Sequence, residues 1–407
     1  MNTLFFYAGH HPIHVGGATR TIAQNLFASY PADQPSYLVS VNQLSLHPPS
    51  LRREFDIQTA LKQKMLPWRA AKKMLQLFRI KSQAPSRWFE RRMVAQGDAL
   101  AASIAQSLET NSAAPTLLMG FGSMSYALGR YAKSMNTPFA IHCQWCHPHQ
   151  QVRWLEQAYS QIGERQQVVS AWQCERRLAE IEMADQIWCP SNLVKDSLLQ
   201  QGVDASKLFV VHPGIDLERF QQNGRAPSSR FKLVFVGGVC VQKGVIILLD
   251  ALRRIRYTDV EVVLNGAVEP AVLDWLTTVQ PELRQKRIEV VIDPGDPVRH
   301  LSDASAFVLP SMHDAFGIVV LEAMAAGLPV ITSNQTGAKD LVEEGANGFV
   351  VPAGDADALA DKIETLYEDG ELRRRMGQRS SETARRFSVG RQSALLLSQL
   401  GIQPKTQ

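Results

Sequence analysis

The segment from Val308 to Ser333 constrains the fold of this chain more than any other stretch. It opens with a short apolar strand, passes through a polar turn into a helix predicted over 316–326, and closes with a second apolar strand. Gly327 stands where a helix end favours a residue with positive φ. Short strand–helix–strand units build parallel sheets, in which ligands bind beyond the carboxyl ends of the strands. Asp314 lies at such an end.

Two carboxylates, Asp314 and Glu322, belong to this segment. Eight residues of α-helix rise about 12 Å and rotate through about 800°, so the two acids cannot bind one atom. They could hold the two ends of one elongated ligand. Spacing alone leaves a second interpretation open, in which Asp314 caps the helix and Glu322 is a solvated helical side chain.

The same segment resembles the signature of glycosyltransferase family 4, whose members are retaining enzymes of GT-B architecture. Asp-Ala-Phe-Gly at 314–317 is followed by Glu-Ala at 322–323 and by a glycine before Pro-Val-Ile. The resemblance implies that Asp314, where the family usually has glutamate, lies near the donor sugar. It implies that Glu322 contacts the nucleotide ribose. The residues expected to line the donor site between them are Ala315, Phe316, Gly317 and Ile318.

The length of 407 residues favours two domains of about 200 residues each. Strands and helices alternate through both halves, which predicts a doubly wound parallel sheet in each. The resemblance covers nearly the whole chain and implies two Rossmann-like domains facing across a cleft. We therefore expect an N-terminal acceptor-binding domain over 1–216, a nucleotide-sugar-binding domain over 229–386, and a C-terminal helix over 387–407 that packs back on the first domain.

A glycine-lined turn precedes a lysine at the start of the second half. The strand predicted over 231–236 runs into Gly237 and Gly238, and Lys243 lies at the start of the next helix. Backbone amides, a helix dipole and one cation predict a phosphate site, although the spacing is not that of a P-loop. The resemblance assigns Lys243 to the donor diphosphate and places the Asn265-Gly266 turn beside the nucleotide.

Gly238 occupies a position where the family has a second cation, an arginine.

In the first half, Gly16 and Gly17 precede a predicted helix and would let backbone amides approach an anion or a sugar. His142 follows a predicted strand, where it could orient a sugar hydroxyl or be a structural histidine. The resemblance places both glycines in the cleft and His142 close to the donor sugar.

Cys143 and Cys146 form a Cys-x-x-Cys-His spacing with His147. This is the spacing of covalent haem attachment, which needs export, and nothing in the sequence suggests export. Zinc is the other candidate, because two thiolates and a histidine could supply three ligands. We expect no metal site, while the sequence leaves metal binding by these cysteines open.

Net charge is only +4, but ten basic side chains lie between Lys62 and Arg92 against the single acid Glu90. Aromatic and aliphatic residues are interleaved with them, which predicts an amphipathic helix on an anionic membrane surface. A solvated surface helix is the alternative, and no nucleic-acid recognition motif accompanies the patch.

No apolar run approaches the roughly 20 residues of a membrane span. The N-terminus lacks a basic signal region and five uneven cysteines suit a reducing compartment, so we expect a cytoplasmic protein, peripheral on the inner face of the plasma membrane.

The function implied by the resemblance is retaining transfer of a sugar from a UDP- or GDP-linked donor to a hydroxyl of a glycan or lipid-linked acceptor. Such a reaction would serve cell-surface glycan, glycolipid or polysaccharide synthesis, without a metal or other cofactor. Two alternatives stay open on the same scaffold. One is a non-catalytic sugar-nucleotide-binding protein, favoured by Gly238, and the other is a non-hydrolysing sugar-nucleotide epimerase.

Overall fold

Each half of the chain forms its own parallel sheet, as the alternation of strands and helices predicts. The computed structural model describes residues 3–7, 36–40, 117–121, 125–164, 169–220 and 230–399. Gly16, Gly17 and the basic segment from Lys62 to Arg92 lie outside the described residues. The predictions made for them stay predictions.

The first sheet has the strand order β2-β1-β3-β4-β5-β6, with every described pairing parallel. The order reverses direction between β1 and β3, as in doubly wound folds. The strands are β1 (Thr3–Tyr7), β2 (Ser36–Ser40), β3 (Leu117–Phe121), β4 (Phe139–His142), β5 (Gln186–Cys189) and β6 (Leu208–Val210). The described helices of this half are α1 (Tyr126–Ser134), α2 (Pro148–Ser160), α3 (Ala171–Met183) and α4 (Asn192–Leu199).

The second sheet has the order β12-β11-β10-β7-β8-β9, again parallel throughout, and it reverses direction between β7 and β10. Its strands are β7 (Phe231–Val236), β8 (Val260–Asn265), β9 (Glu289–Ile292), β10 (Ala306–Leu309), β11 (Val330–Ser333) and β12 (Gly348–Val351). Its helices are α5 (Val245–Arg254), α6 (Pro270–Gln285), α7 (Pro297–Ser302), α8 (Ile318–Ala325), α9 (Ala356–Glu368), α10 (Gly370–Arg385) and α11 (Val389–Gln399).

The core of the second half explains its near-continuous apolar runs. All six residues of β7 are buried, because helices cover both faces of a parallel sheet. One of them is charged: Lys232 is 6% exposed, and its Nζ lies 2.7 Å from Asp303 and 3.5 Å from Glu261. Two carboxylates therefore compensate the one lysine that the pattern places inside the sheet.

The two halves touch through α2 and through the crossing of the chain after α10. The hydroxyl of Tyr159 on α2 donates to Glu269 of the second half over 2.8 Å. Ile215, at the end of the first half, forms a parallel bridge with Ser388, directly before α11. The chain thus returns to the first half after α10, as the GT-B expectation requires, while the domain limits at 216, 229 and 386 stay predictions. In the part of the chain that the structure describes, none of the helices combines the length and the apolar character that crossing a membrane requires.

Candidate active site

The carboxyl ends of β7, β8, β10 and β11 meet at one edge of the second sheet, and the predicted donor residues lie along it. Gly237 and Gly238 follow β7, and Asn265 ends β8. Asp314 lies in the loop after β10 and forms a bridge with Thr336, which follows β11. Because β7 and β10 are neighbours at the point where the strand order reverses, this edge is where a doubly wound sheet binds its ligand.

Lys243 and Asp314 form an ion pair across this edge. The lysine Nζ lies 2.5 Å from Oδ2, and the two side chains are 25% and 14% exposed. Lys243 ends the 3₁₀ turn Val241–Lys243, and Gly244 leads from that turn into α5 with a φ of 73°. A Cβ on Gly244 would lie 1.9 Å from the carbonyl oxygen of Pro310, so only glycine lets this turn approach the end of β10.

Asp314 is fixed by the backbone on either side of it and does not cap the following helix. Its amide donates to the oxygen of Gln335 over 3.0 Å, and its Oδ1 accepts from the amide of Phe316 over 3.3 Å. The N-cap of α8 is Gly317, whose φ of 82° delays the helix to Ile318. The predicted start at 316 was therefore two residues early, and the helix-capping interpretation of Asp314 was wrong.

The glycine turn after β7 is packed against the turn after β8. The amide of Gly237 donates to the oxygen of Asn265 over 2.9 Å, and a Cβ on Gly266 would lie 1.8 Å from the oxygen of Gly237. The side-chain Nδ2 of Asn265 donates to two carbonyl oxygens of the loop after β9, at 2.7 and 2.8 Å. Asn265 therefore positions a neighbouring loop, and the amide of Gly237 is hydrogen-bonded within the protein. Gly238 is half-buried beside them.

Glu322 is not the solvated helical glutamate that spacing allowed. Its side chain is partly buried on α8, and burial raises the pKa of its carboxyl group, while the positive charge of Arg219 lowers it. Among the described residues, none forms a hydrogen bond or an ion pair with this carboxylate. A partly buried carboxylate without such a partner is costly unless a ligand supplies hydrogen-bond donors.

His142 ends β4, at the carboxyl edge of the first sheet. Its side chain is buried, and burial lowers the pKa of its imidazole to about 4. The ring is therefore neutral at physiological pH and offers one N–H donor and one acceptor nitrogen. A neutral ring of this kind can orient a hydroxyl group but cannot contribute a positive charge.

His313 is a candidate that the sequence reasoning missed. Its side chain is 3% exposed, and neither ring nitrogen has a hydrogen-bond partner among the described residues. Burial lowers the pKa of this imidazole to about 4, and its ring lies 5.7 Å from that of Trp154 on α2. Its position directly before Asp314 was the available signal, but a histidine in a polar turn gives no indication of burial.

The loop that carries Ala315 also contacts the first half directly. The hydroxyl of Ser191 donates to the oxygen of Ala315 over 2.6 Å, and Asp340 accepts from the amide of Asn192 over 2.6 Å. The first bond joins the start of α4 to the loop that carries Ala315, and the second joins it to the 3₁₀ turn Gly337–Leu341. The position of the Ala315 loop therefore depends on how the two halves meet.

Cys143 and Cys146 are buried thiols, each close to a backbone oxygen. Their Sγ atoms lie 3.2 Å from the oxygen of Trp145 and 3.9 Å from that of Leu193. Burial raises the pKa of both, to about 12 for Cys146, so neither supplies a thiolate. Within the described ranges, no group of three or more histidine, cysteine or acidic side chains could hold a metal ion.

Comparison with known proteins matches nearly three quarters of the chain. The family model described as Glycosyl transferases group 1 covers residues 216–383, and the model described as Glycosyltransferase Family 4 covers residues 84–219. A crystal structure of Anabaena HepE in complex with UDP superimposes with a TM-score of 0.65 at 17% identity, over 98% of this chain and 100% of that one. The fold is that of GT-B proteins, and both matching family models describe glycosyltransferases.

Curated relatives match part of the chain. The capsular polysaccharide biosynthesis glycosyltransferase CapM of Staphylococcus aureus is 32% identical over 178 residues, which are 40% of this chain and 46% of that protein. A D-inositol 3-phosphate glycosyltransferase of Corynebacterium glutamicum is 30% identical over 226 residues, 50% of this chain and 54% of that protein. The chain belongs to glycosyltransferase family 4. It spans about half the length of the curated relatives it matches.

Proposed function

We propose that this chain is a retaining glycosyltransferase that moves a sugar from a nucleoside diphosphate to an acceptor hydroxyl in glycan or polysaccharide synthesis. The observation that carries the proposal is the pairing of Lys243 with Asp314 at the switch point of the second sheet. On the helix that follows, the carboxylate of Glu322 has no hydrogen-bond or ion-pair partner among the residues that the structure describes. A cation, a partly buried acid and a second acid in that order suit a diphosphate, a sugar and a ribose.

In the reaction, the bond from the anomeric carbon to the β-phosphate oxygen breaks and leaves its electron pair on the diphosphate. The acceptor oxygen forms the new bond on the same face of the sugar, and its proton passes to the departing phosphate. Negative charge grows on the diphosphate beside Lys243, whose ammonium has three N–H donors. The ammonium would therefore stabilise the leaving group as its charge develops.

The sugar would lie between Asp314 of the second half and His142 of the first. Asp314 accepts hydrogen bonds from sugar hydroxyls, and neutral His142 donates or accepts one more. Glu322 accepts from the ribose hydroxyls, which supply the hydrogen-bond donors that it lacks among the described residues. The positive charge of Lys243 and the dipole of α5 offset the negative charge of the diphosphate. We therefore expect no metal or other cofactor in the site.

The donor is proposed to be UDP- or GDP-linked, with UDP tested first because HepE was solved with UDP. The acceptor is proposed to be a glycan or a lipid-linked sugar. The segment from Lys62 to Arg92 is proposed to hold the protein on the cytoplasmic face of a membrane. Its charge pattern supports this placement.

A thermal-shift screen of nucleotide sugars tests the donor assignment, because a ligand that binds only the folded state raises the melting temperature. We expect one UDP- or GDP-sugar to raise it, and purified acceptor glycans to yield a product with the donor's anomeric configuration by NMR. No shift with any nucleotide sugar would contradict the proposal. Binding without product would favour the non-catalytic alternative suggested by Gly238, and a new sugar nucleotide formed from donor alone would indicate an epimerase.

A further inference from the structure

The helix α2 belongs to the first half of the chain, but its last turn packs into the core of the second half. Ala158 and Tyr159 lie in one buried apolar cluster with the residues of β7 and α5. Earlier on the same helix, the ring of Trp154 lies 5.7 Å from that of His313, which directly precedes Asp314. The helix α2 therefore reaches the donor edge of the second half and contacts the loop that carries Asp314.

Glu269 connects Tyr159 of α2 to the turn that carries Lys243. Its Oε1 accepts from the hydroxyl of Tyr159 over 2.8 Å, and its Oε2 accepts from the amide of Val241 over 2.9 Å. Val241 begins the 3₁₀ turn that Lys243 ends. The first amide of a helical turn has no partner within that turn, so the carboxylate supplies the acceptor that this amide needs. One carboxylate thus holds both the start of the lysine's turn and the first half of the chain.

The backbone around Glu269 fixes its place beside the turn. Glu269 directly precedes α6, where a side chain can accept from the first amides of its own helix. Its carboxylate does not cap α6, all of whose residues the structure describes. Its amide donates to the oxygen of Val239 over 2.9 Å, and the amide of Val239 donates to the oxygen of Ala267 over 2.8 Å. These two bonds hold the loop after β8 against the loop after β7.

The hydroxyl of Tyr159 is a permanent donor to this carboxylate. Tyr159 is 5% exposed, and burial together with the negative charge of Glu269 raises the pKa of its hydroxyl, which therefore stays protonated at physiological pH. A separate bond holds the next residue of the turn, because the amide of Met312 donates to the oxygen of Gln242 over 2.9 Å. The lysine's turn is thus bonded to the loops after β8 and β10, and the bond to the loop after β8 continues through Tyr159 into the first half.

We propose that Glu269 and Tyr159 are positioning residues, which set the place of the Lys243 ammonium for the donor diphosphate and make donor binding depend on contact between the two halves. This inference rests on the proposed function for the presence of a diphosphate at Lys243. When the turn leaves its place, the protein cannot bind the diphosphate, so the observed affinity falls with the fraction of molecules that keep the turn in place. Neither side chain needs to touch the ligand.

The test measures binding of UDP, pyrophosphate and uridine to the full-length protein, with GDP and guanosine instead if GDP is the nucleotide that binds. Calorimetry measures the first two ligands and NMR titration the nucleoside. We expect Glu269→Ala to weaken binding of UDP and pyrophosphate by about tenfold, the loss expected for about one charge-assisted hydrogen bond. Tyr159→Phe should weaken both by about threefold, since the amide of Val241 keeps its acceptor. Binding of uridine should be unchanged, because uridine has no phosphate for Lys243 to bind.

Three further variants make the result specific. Glu269→Gln keeps an oxygen that can accept from the amide of Val241, so it should bind UDP and pyrophosphate within about threefold of the wild type. Tyr367→Phe is the matched control for the tyrosine, because the hydroxyl of Tyr367 donates over 3.3 Å to the oxygen of Thr258, before the start of β8 at the opposite edge of the sheet. Glu364→Ala is the matched control for the carboxylate, because Glu364 also accepts from a backbone amide. Neither control should change the binding of UDP.

Unchanged affinity for UDP and pyrophosphate in Glu269→Ala and Tyr159→Phe would overturn the inference. An equal loss of uridine binding would also overturn it, because it would indicate a general disturbance of the site, and so would a loss in Glu269→Gln as large as in Glu269→Ala. Tyr159→Phe, which keeps its ring in the core, decides the matter if Glu269→Ala does not fold.

Failure of the wild type to bind any nucleotide would contradict the proposed function instead. Hydrogen exchange of residues 241–244 then decides whether Glu269 and Tyr159 position the turn. We expect faster exchange there in Glu269→Ala and in Tyr159→Phe than in the wild type, and an unchanged rate in Tyr367→Phe. Equal exchange rates in all of these proteins would overturn the inference.

Discussion

Replacing Lys243 with methionine separates the structural and the functional roles of the central ion pair. The variant keeps most of the side-chain volume and removes the ammonium that lies 2.5 Å from Asp314. A hydrogen bond to a charged group contributes about 1.5–3 kcal/mol, so loss of the lysine–diphosphate contact should weaken UDP binding by about 10- to 150-fold. Transfer should fall further, because charge on the diphosphate increases in the transition state.

The same change should destabilise the protein without ligand. Asp314 is only 14% exposed, and losing its partner leaves a largely buried carboxylate, which costs about 1–3 kcal/mol. Adding Asp314→Asn removes that charge, so the double variant Lys243→Met/Asp314→Asn should recover most of the stability. It should not recover the affinity for UDP. Chemical denaturation and calorimetry on the same preparations measure both quantities.

Asp314→Asn alone provides the matched control. It removes the anion that competes with a diphosphate for the ammonium, so UDP binding should be equal to that of the wild type or tighter. Binding of the sugar nucleotide should gain less, because Asp314 is proposed to hold the sugar. UDP affinity that is unchanged in Lys243→Met, or weakened as strongly by Asp314→Asn, would refute the reasoning.

Three other predictions concern residues around this pair. Glu322→Gln should weaken UDP binding about tenfold but leave pyrophosphate binding unchanged. It should also stabilise the protein without ligand, because burial raises the pKa of the carboxyl group that it replaces. Equal losses of affinity for both ligands would contradict the assignment of Glu322 to the ribose. Gly244→Ala should cost about 3 kcal/mol or more in denaturation experiments, since its Cβ would lie 1.9 Å from a backbone oxygen, whereas Gly163→Ala, with a φ of 72° and nothing within 4 Å, should cost only about 1–2 kcal/mol. Glu180, whose pKa burial raises to about 8, binds more protons in the folded than in the unfolded chain between about pH 4.5 and 8. As the pH rises through that range, the stability of the wild type should therefore fall relative to that of Glu180→Gln. A difference in melting temperature between the two proteins that stays constant from pH 4 to 8 would contradict a buried, protonated Glu180.

The sequence predicts the sheets well because their signal is local. Apolar runs bounded by glycine and proline predicted the strands of the described halves, and Gly327 has the positive φ of 79° that its position at a helix end requires. The start of α8 was misplaced because the sequence does not say whether Gly317 is helical or left-handed. Its φ of 82° places the helix start at Ile318.

The site was predicted as a set of residues but not as a set of contacts. Lys243 and Asp314 were assigned separately to a diphosphate and a sugar, and their direct pairing across 71 residues depends on the neighbouring positions of β7 and β10. Asn265 was assigned to the nucleotide, yet its amide holds the loop after β9. His313 was missed because burial is a property of the folded chain, and the covering ring of Trp154 comes from the other half.

A crystal structure of the protein with UDP-linked or GDP-linked hexose tests the central claim most directly. We expect a diphosphate oxygen about 3 Å from the Nζ of Lys243 and a ribose hydroxyl at the same distance from the carboxylate of Glu322. A nucleotide bound elsewhere, with Lys243 and Asp314 still paired and Glu322 still without a partner, would contradict it.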